Sequence, residues 1–424
     1  MPKIAERKNS KEQLKAHILN FNLSSQIELF AGDATKTEID HLKIGGKQYP
    51  KFINEFWTSK QRQAASIHEV SYRACFKPQL PRFFIQILTR PNDIVYDPFS
   101  GRGTTAIEAG LLGRNIIAND INPLSSILSK PRFFIPKINL LQKRLEKIKI
   151  NKKAKVEIDL SMFYHRDTEA EIVSLKKYLI NKKAKGSEDE LDSWIRMVAT
   201  NRLTGHSKGF FSVYTLPPNQ AVSPKRQQII NQKRKQKPEY RDIKRIILHK
   251  SKQLISGLLE QEINNLRNAG RRAQFLEMDA RMTKNIISNS IQLTVTSPPF
   301  LDVVHYGEDN WLRCWFNNID ARKIEKKITM SKNISGWSEV MAQVMKELYR
   351  ITKKFGWVVF EVGEVKNGKI KLDEYVIPLG VKAGFVCEGV LINQQVFTKT
   401  SSIWGVDNNK KGTNSNRIVL FHKN

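Results

Sequence analysis

Between positions 93 and 119 the chain switches from one apolar period to another and back. Asp93-Ile94-Val95-Tyr96-Asp97 is a short apolar run behind the turn dipeptide Pro91-Asn92, and it predicts a buried strand. Glycines follow at 101 and 103. Apolar residues at helical spacing over 104–112, closed by Gly113, then predict a helix. Positions 115–119 predict a second strand, ending at Asp120. Strand, glycine turn, helix and strand make a βαβ unit, which implies a parallel sheet in an α/β domain. From about Pro131 the pattern becomes one of charged amphipathic helices. One spans 140–150. Positions 241–268 read as a single long helix with Ile246, Ile247, Leu254, Ile255, Leu258 and Leu259 on its apolar side and Gly270 as its stop. Between them 204–224, rich in Gly, Pro and Ser, reads as an ordered loop in which Phe210, Phe211 and Tyr214 are interleaved with Lys208. The α/β rhythm resumes with strands at 274–278 and 292–296, a helix over 338–354 capped by Gly356, and a strand at 357–362. A helix over 372–383 and strands at 385–393 and 417–421 complete the chain.

Composition adds a partner to this picture. The chain has 424 residues, 40% of them hydrophobic, which excludes wholesale disorder and fits two or three domains. It carries 71 Lys+Arg against 41 Asp+Glu, a formal net charge of +30, and that excess points to a polyanion: nucleic acid or an anionic membrane surface. The charge is unevenly placed. Residues 131–275 hold 32 basic and 14 acidic residues, whereas the flanking 1–130 and 276–424 carry +6 each. Eleven of the cations fall within 225–252, against Glu239 and Asp242. The division expected is therefore a first half of an α/β domain at 1–130, a basic insert at 131–273 and a second half at 274–424. Cys75, Cys314 and Cys387 lie far apart, which argues against a disulfide framework or a structural metal site. The amino terminus is too charged for a signal peptide, and no apolar run approaches the roughly 18 residues of a membrane span. A soluble, cytoplasmic protein is expected.

Two short motifs carry candidate chemistry. Asp97-Pro98-Phe99-Ser100-Gly101-Arg102-Gly103-Thr104-Thr105-Ala106 has three readings: a ligand-free turn, a dinucleotide site, because Gly101, Gly103 and Ala106 match G-x-G-x-x-G/A, or a site for S-adenosylmethionine. Charge separates the last two. A pyrophosphate needs a helix N-terminus free of nearby negative charge, and Asp97 closes the strand just before the glycines. The same Asp97 favours the ammonium and sulfonium of S-adenosylmethionine, while Asp120 suits ribose hydroxyls in either case. The second motif is Ser297-Pro298-Pro299-Phe300, which follows directly on the strand at 292–296. Its two prolines fix the backbone and remove two N–H donors, leaving a rim of carbonyl acceptors with the Ser297 hydroxyl beside it and the Phe300 ring beyond. That arrangement suits a planar base with an exocyclic amino group. Two acceptors on the amino hydrogens draw the nitrogen toward tetrahedral geometry and aim its lone pair at a sulfonium methyl, so transfer needs positioning more than a strong base.

On these residues the sequence resembles the amino-methyltransferases of restriction–modification systems. Positions 97–105 resemble their cofactor turn, with Asp97, Phe99, Gly101, Gly103 and Thr104 as cofactor-binding residues. Asp120 resembles the ribose-binding acid and Asp279 the residue that contacts the adenine amino group. Positions 67–81 resemble the element closing over the methionine end, Ser297 to Phe300 the catalytic loop, and 416–420 the closing strand. The resemblance implies a Rossmann-like S-adenosylmethionine-dependent methyltransferase sheet with a mostly helical basic insert. Ser at the first catalytic position is typical of the cytosine-N4 enzymes, so the activity implied is methylation of the N4 of a cytosine flipped out of double-stranded DNA. A cognate restriction endonuclease would act separately. Adenine-N6 methylation of DNA and guanine-N2 methylation of RNA are the alternatives. The cations Lys225, Arg226, Lys233, Arg234, Lys235, Lys237, Arg241, Lys244 and Arg245 are expected to meet phosphates.

Overall fold

The computed structural model describes residues 10–21, 36–57, 64–72, 75–217, 221–299, 306–328, 331, 333–365, 369–394 and 415–424. In chain order its strands are β1 (Glu38–Ile44), β2 (Lys47–Asn54), β3 (Ile94–Asp97), β4 (Asn115–Asn119), β5 (Gln274–Leu276), β6 (Ile291–Thr296) and β7 (Thr352–Val362). They are followed by a small hairpin of β8 (Glu364–Val365) and β9 (Ile370–Lys371), and by β10 (Val386–Gln394) and β11 (Ser415–His422). Nine strands form one sheet in the order β1-β2-β10-β11-β7-β6-β3-β4-β5. The block β7-β6-β3-β4-β5 is parallel throughout, and β11 inserts antiparallel between β7 and β10. This is the Rossmann-like sheet expected. The chain leaves β3 toward β4 and leaves β6 toward β7, so the strand order reverses between β3 and β6. In open α/β sheets ligands bind outside the carboxyl ends of the strands at such a point.

The helices used below are α1 (Gln79–Leu88), α2 (Thr104–Leu111), α3 (Ile138–Lys147), α4 (Arg166–Ala184), α5 (Glu190–Arg202), α6 (Pro224–Arg234), α7 (Ile243–Ile255), α8 (Glu260–Gly270), α9 (Trp311–Phe316), α10 (Ile334–Ile351) and α11 (Leu372–Ala383). The period of two along the strands sorts the core into two layers. Val95, Ile116, Leu293 and Val359 face α1, α2 and the helices between β4 and β5, while Tyr96, Ile117, Val358 and Phe360 face α10 and α11. The first layer runs on without a break into Trp194, Ile195, Phe211, Ile247 and Leu254.

Three expectations about elements change. The helix expected over 241–268 is two helices. α7 ends at Ile255, the backbone N–H of Gly257 donates to Ser66 Oγ, and the chain restarts at Leu259, whose side chain is 69% exposed. The break turns α8 onto α2, where Asn265 Nδ2 donates to the Leu111 carbonyl at 2.9 Å. Gly356 is no helix cap: α10 passes straight into β7 at Thr352. A Cβ on Gly356 would meet the Gln292 carbonyl at 3.1 Å, so the glycine allows β7 to approach β6 where their register shifts. The β1–β2 hairpin is an addition to the elements expected, although Gly45-Gly46 between two polar–apolar alternating runs is a hairpin signal.

Candidate active site

Five strand ends converge on one cavity of about 280 Å³. Its wall is built from 98–101 after β3, 120–122 after β4, 278–281 after β5, 297–299 after β6, and Glu361 near the end of β7. Tyr72, Cys75 and Phe76 close one side, and Val340, Met341 and Val344 of α10 another.

The glycine turn is shaped by contacts rather than by sequence alone. Gly103 holds φ +80, and a Cβ there would lie 2.5 Å from Ser129 Cβ, so no larger residue fits. The Gly101 N–H donates to Asp120 Oδ2 at 2.8 Å, and the Asn122 N–H donates to Asp120 Oδ1 at 2.9 Å. These two bonds aim the Asp120 carboxylate at the cavity, and burial raises its pKa to about 6. Asp97 is placed differently. It is buried behind the wall and accepts from Thr296 Oγ1 at 2.6 Å and from the Phe99 N–H at 3.1 Å. Burial pushes its carboxyl up to about 7 against those hydrogen bonds. Thr104 is also buried, takes a bond from Arg102 Nε at 3.3 Å, and is not part of the wall. Phe99 and Gly101 do line it, and Gly103 does not.

Asp279 lines the cavity too, but Arg281 clasps its carboxylate, with Nη2 at 2.6 Å from Oδ2, and the hydrogen bonds from Arg281 hold its pKa below the usual range. Asn119, fully buried at the end of β4, fastens two of the loops. Its Nδ2 donates to the carbonyls of Pro98 and Met278, and its Oδ1 accepts from the Met278 N–H. Sequence reading passes over it, because an asparagine at a strand end has no signature until its two neighbours are known.

Ser297, Pro298 and Pro299 lie in the cavity wall, and Phe300 falls outside the described residues. The Trp337 indole N–H donates to the Pro299 carbonyl at 2.9 Å and so ties the loop to α10. The Ser297 side chain stands close enough to Glu361 to favour its ionised form, and Glu361 accepts from Asn416 Nδ2 at 2.6 Å. Burial raises the Glu361 pKa above its ordinary value. Glu361 is the functional residue that sequence reading misses most completely. It stands inside the apolar run of β7, and only the pairing of β7 with β6 brings it to Ser297.

The segment carrying Tyr72 is held from several directions. Arg102 Nη1 donates to the carbonyls of His68 and Val70, Asn201 Nδ2 and Arg313 Nη2 both donate to the Ser71 carbonyl, and Lys250 pairs with Glu69 at 2.8 Å. Asn201 and Lys250 belong to α5 and α7, so helices between β4 and β5 brace a wall of the cavity.

The basic residues divide into two sets. Lys225, Arg226, Lys233, Arg234 and Lys235 are exposed on α6 or its cap, and Lys237 and Arg245 are exposed nearby. Arg234 lies over the Tyr214 ring at 3.8 Å. Arg241 instead donates to the carbonyls of Ser207, Phe210 and Ser212, and Lys244 Nζ donates to the Ile148 carbonyl at 2.7 Å, next to the end of α3. Those two cations hold the insert together. Phe210 and Phe211 are buried anchors.

Residues 5–127 match the DNA methylase family model, and residues 67–194 match the model of the RMKL-like methyltransferase domain. A stretch of 138 residues is 32% identical to the Type II methyltransferase M.BsoBI of Geobacillus stearothermophilus, covering 30% of this chain and 27% of that protein. Another of 90 residues is 37% identical to the Type II methyltransferase M1.MboII of Moraxella bovis, covering 19% of this chain and 35% of that protein. The matched stretches span between 17% and 35% of the curated relatives. Geranyl diphosphate methyltransferase in complex with SAM superposes on 82% of this chain and 85% of its own, at 6% identity and a TM-score of 0.34. No helix among the described residues is long and apolar enough to cross a membrane.

Proposed function

We propose that this protein is a site-specific DNA methyltransferase of the restriction–modification type that transfers a methyl group from S-adenosylmethionine to the N4 of a cytosine flipped out of duplex DNA. The observation that carries the reading is the shared cavity: Ser297 and Glu361 line it together with Asp120, Phe99 and Asp279.

The cavity suits the cofactor in its chemistry. Asp120 presents a carboxylate to ribose hydroxyls, and Phe99, Ile121 and Met278 offer apolar surface to a purine. Burial raises the pKa of Asp120, which faces the cavity, and a cationic ligand there would favour its ionised form. The bound cofactor supplies an electrophilic methyl. Everything else falls to the chain. Tyr72 and Phe76 exclude water from one side. Pro298 and Pro299 present no N–H donors, so the rim accepts hydrogen bonds only. With Glu361 next to it to take a hydrogen bond from its hydroxyl, Ser297 would keep its oxygen lone pairs free to accept from the amino group of the base. As the new N–C bond forms and the S–C bond breaks, the amino nitrogen sheds one proton. Ser297 passes that proton on to Glu361, whose raised pKa suits it to hold one.

Incubation of the protein with labelled S-adenosylmethionine and duplex DNA, followed by nucleoside analysis, tests this. N4-methylcytosine is expected. N6-methyladenine alone would overturn the base assignment, and label in tRNA but not in DNA would overturn the substrate.

A further inference from the structure

Helix α6 is mostly polar: of its eleven residues only Gln227 is buried, Ile230 packs half-buried against the core, and Ile229 is also half-buried. A helix of that composition gains little from packing against its own protein. It is held at a distance by amides: Gln227 Nε2 donates to the Tyr214 carbonyl at 3.0 Å, Asn231 Nδ2 to the Met162 carbonyl at 2.8 Å, and Gln236 Nε2 to the Tyr214 carbonyl at 2.9 Å. Gln227, Asn231 and Arg234, spaced at i, i+4 and i+7, therefore mark the face toward the body. On the opposite side Lys225, Gln228, Ile229 and Gln232 follow at i, i+3, i+4 and i+7 and form a single stripe. Gln228 and Gln232 are exposed, and neither side-chain amide bonds to another described residue. Arg226 and Lys233 flank the stripe.

The helix is also tied to the region downstream of the catalytic loop. Just before its first turn, the Ala221 N–H donates to the Asp309 carbonyl at 2.9 Å, and Trp311 Nε1 donates to the Val222 carbonyl at 3.1 Å. Asp309 and Trp311 lie nine and eleven residues beyond Phe300 in the chain.

Resting on the methyltransferase reading, we propose that α6 enters the major groove beside the target base and that Gln228 and Gln232 read an A·T pair there. The chemistry selects the base. Adenine presents an N7 acceptor and an N6 donor, which a glutamine amide meets with its own donor and acceptor, and an apolar side chain such as Ile229 suits the thymine methyl. Arg226 and Lys233 then meet phosphates and set the register of the helix without reading sequence.

The test uses the full chain expressed in a bacterium without other DNA methylation, with methylation marks mapped across the genome for the protein and for Gln228→Ala and Gln232→Ala. The wild-type target should contain an invariant A·T pair near the modified base. In at least one variant, preference for that pair should fall on the order of 10–100-fold while methylation persists. A duplex with 7-deazaadenine at that position, which lacks the N7 acceptor, should be a correspondingly poorer substrate for the wild type and no poorer for the variant. A wild-type target with no invariant A·T pair, or an unchanged target in both variants, overturns the proposal. If wild-type DNA carries no methylated base at all, the methyltransferase reading itself fails, and this proposal with it.

Discussion

The carboxyl edge of the sheet and helix α6 are built on opposite terms. At the sheet edge the polar groups are buried or half-buried and already bonded: Asp120 by two backbone N–H groups, Asn119 by two loops, Glu361 by Asn416. On α6 the outward amides and cations are exposed and carry no obligation to the rest of the chain. The first region is organised before any ligand arrives, as a site for one fixed reaction must be. The second acquires partners only on binding, as a surface that discriminates among sequences can afford to do. The difference predicts that substitutions at the edge alter rate or stability, whereas substitutions on α6 alter affinity and choice.

The sharpest way to break that contrast is Ser297→Ala. Turnover should fall about 10²–10⁴-fold with S-adenosylmethionine affinity unchanged, as read by single-turnover kinetics and calorimetry, and a near-normal rate would remove Ser297 from the chemistry. Asn119→Ala leaves the Pro98 and Met278 hydrogen bonds unmade inside the core and should destabilise the fold by about 2–3 kcal/mol in denaturant titrations. A combined Lys225→Ala, Arg226→Ala and Lys233→Ala change should lower the slope of log affinity against log salt by about 0.9 for each phosphate no longer neutralised, with the fold intact. An unchanged slope would place the duplex elsewhere. The pH dependence of cofactor binding is a smaller effect. In the proposed complex ribose hydroxyls would donate to the ionised form of Asp120, so binding should favour the deprotonated side chain and strengthen as pH rises through about 6. About a quarter of such a group is ionised at pH 5.5 and nearly all at 7.5, so affinity should rise about fourfold, and Asp120→Asn should abolish the trend. At the bottom of the scale, Gln232→Ala should leave stability within about 0.5 kcal/mol of the parent.

Much of the sheet edge is legible in the sequence because its signals are local. Asp97, the glycine turn and Asp120 lie within 24 consecutive residues, and Ser297 follows its strand directly. What escapes is set by pairing across the sheet. Glu361 looks like an interruption in an apolar strand until β7 is laid beside β6, and Trp337 looks like one more core residue until its N–H finds Pro299. The charge map gives the location of the basic helices without the role of each cation. Arg241 and Lys244 have the same sequence context as Arg245, yet two of the three bond to carbonyls inside the protein. The break at 256–259 is hidden because apolar spacing continues through it to Leu259, which ends up in solvent.

That break has a practical consequence for anyone who would exchange the helical insert for another. Leu266 and Ala269 of α8 are part of the core that covers α2, and Asn265 holds the end of that helix. A replacement cassette that runs all the way to β5 would strip this cover from the first crossover of the sheet. One that ends near Gly257 would keep it, and would also have to supply its own equivalents of Asn201 and Lys250, or the recipient would lose its grip on the wall that carries Tyr72. The seam for such a graft lies inside the helical region, in the turn between α7 and α8, and not at its ends.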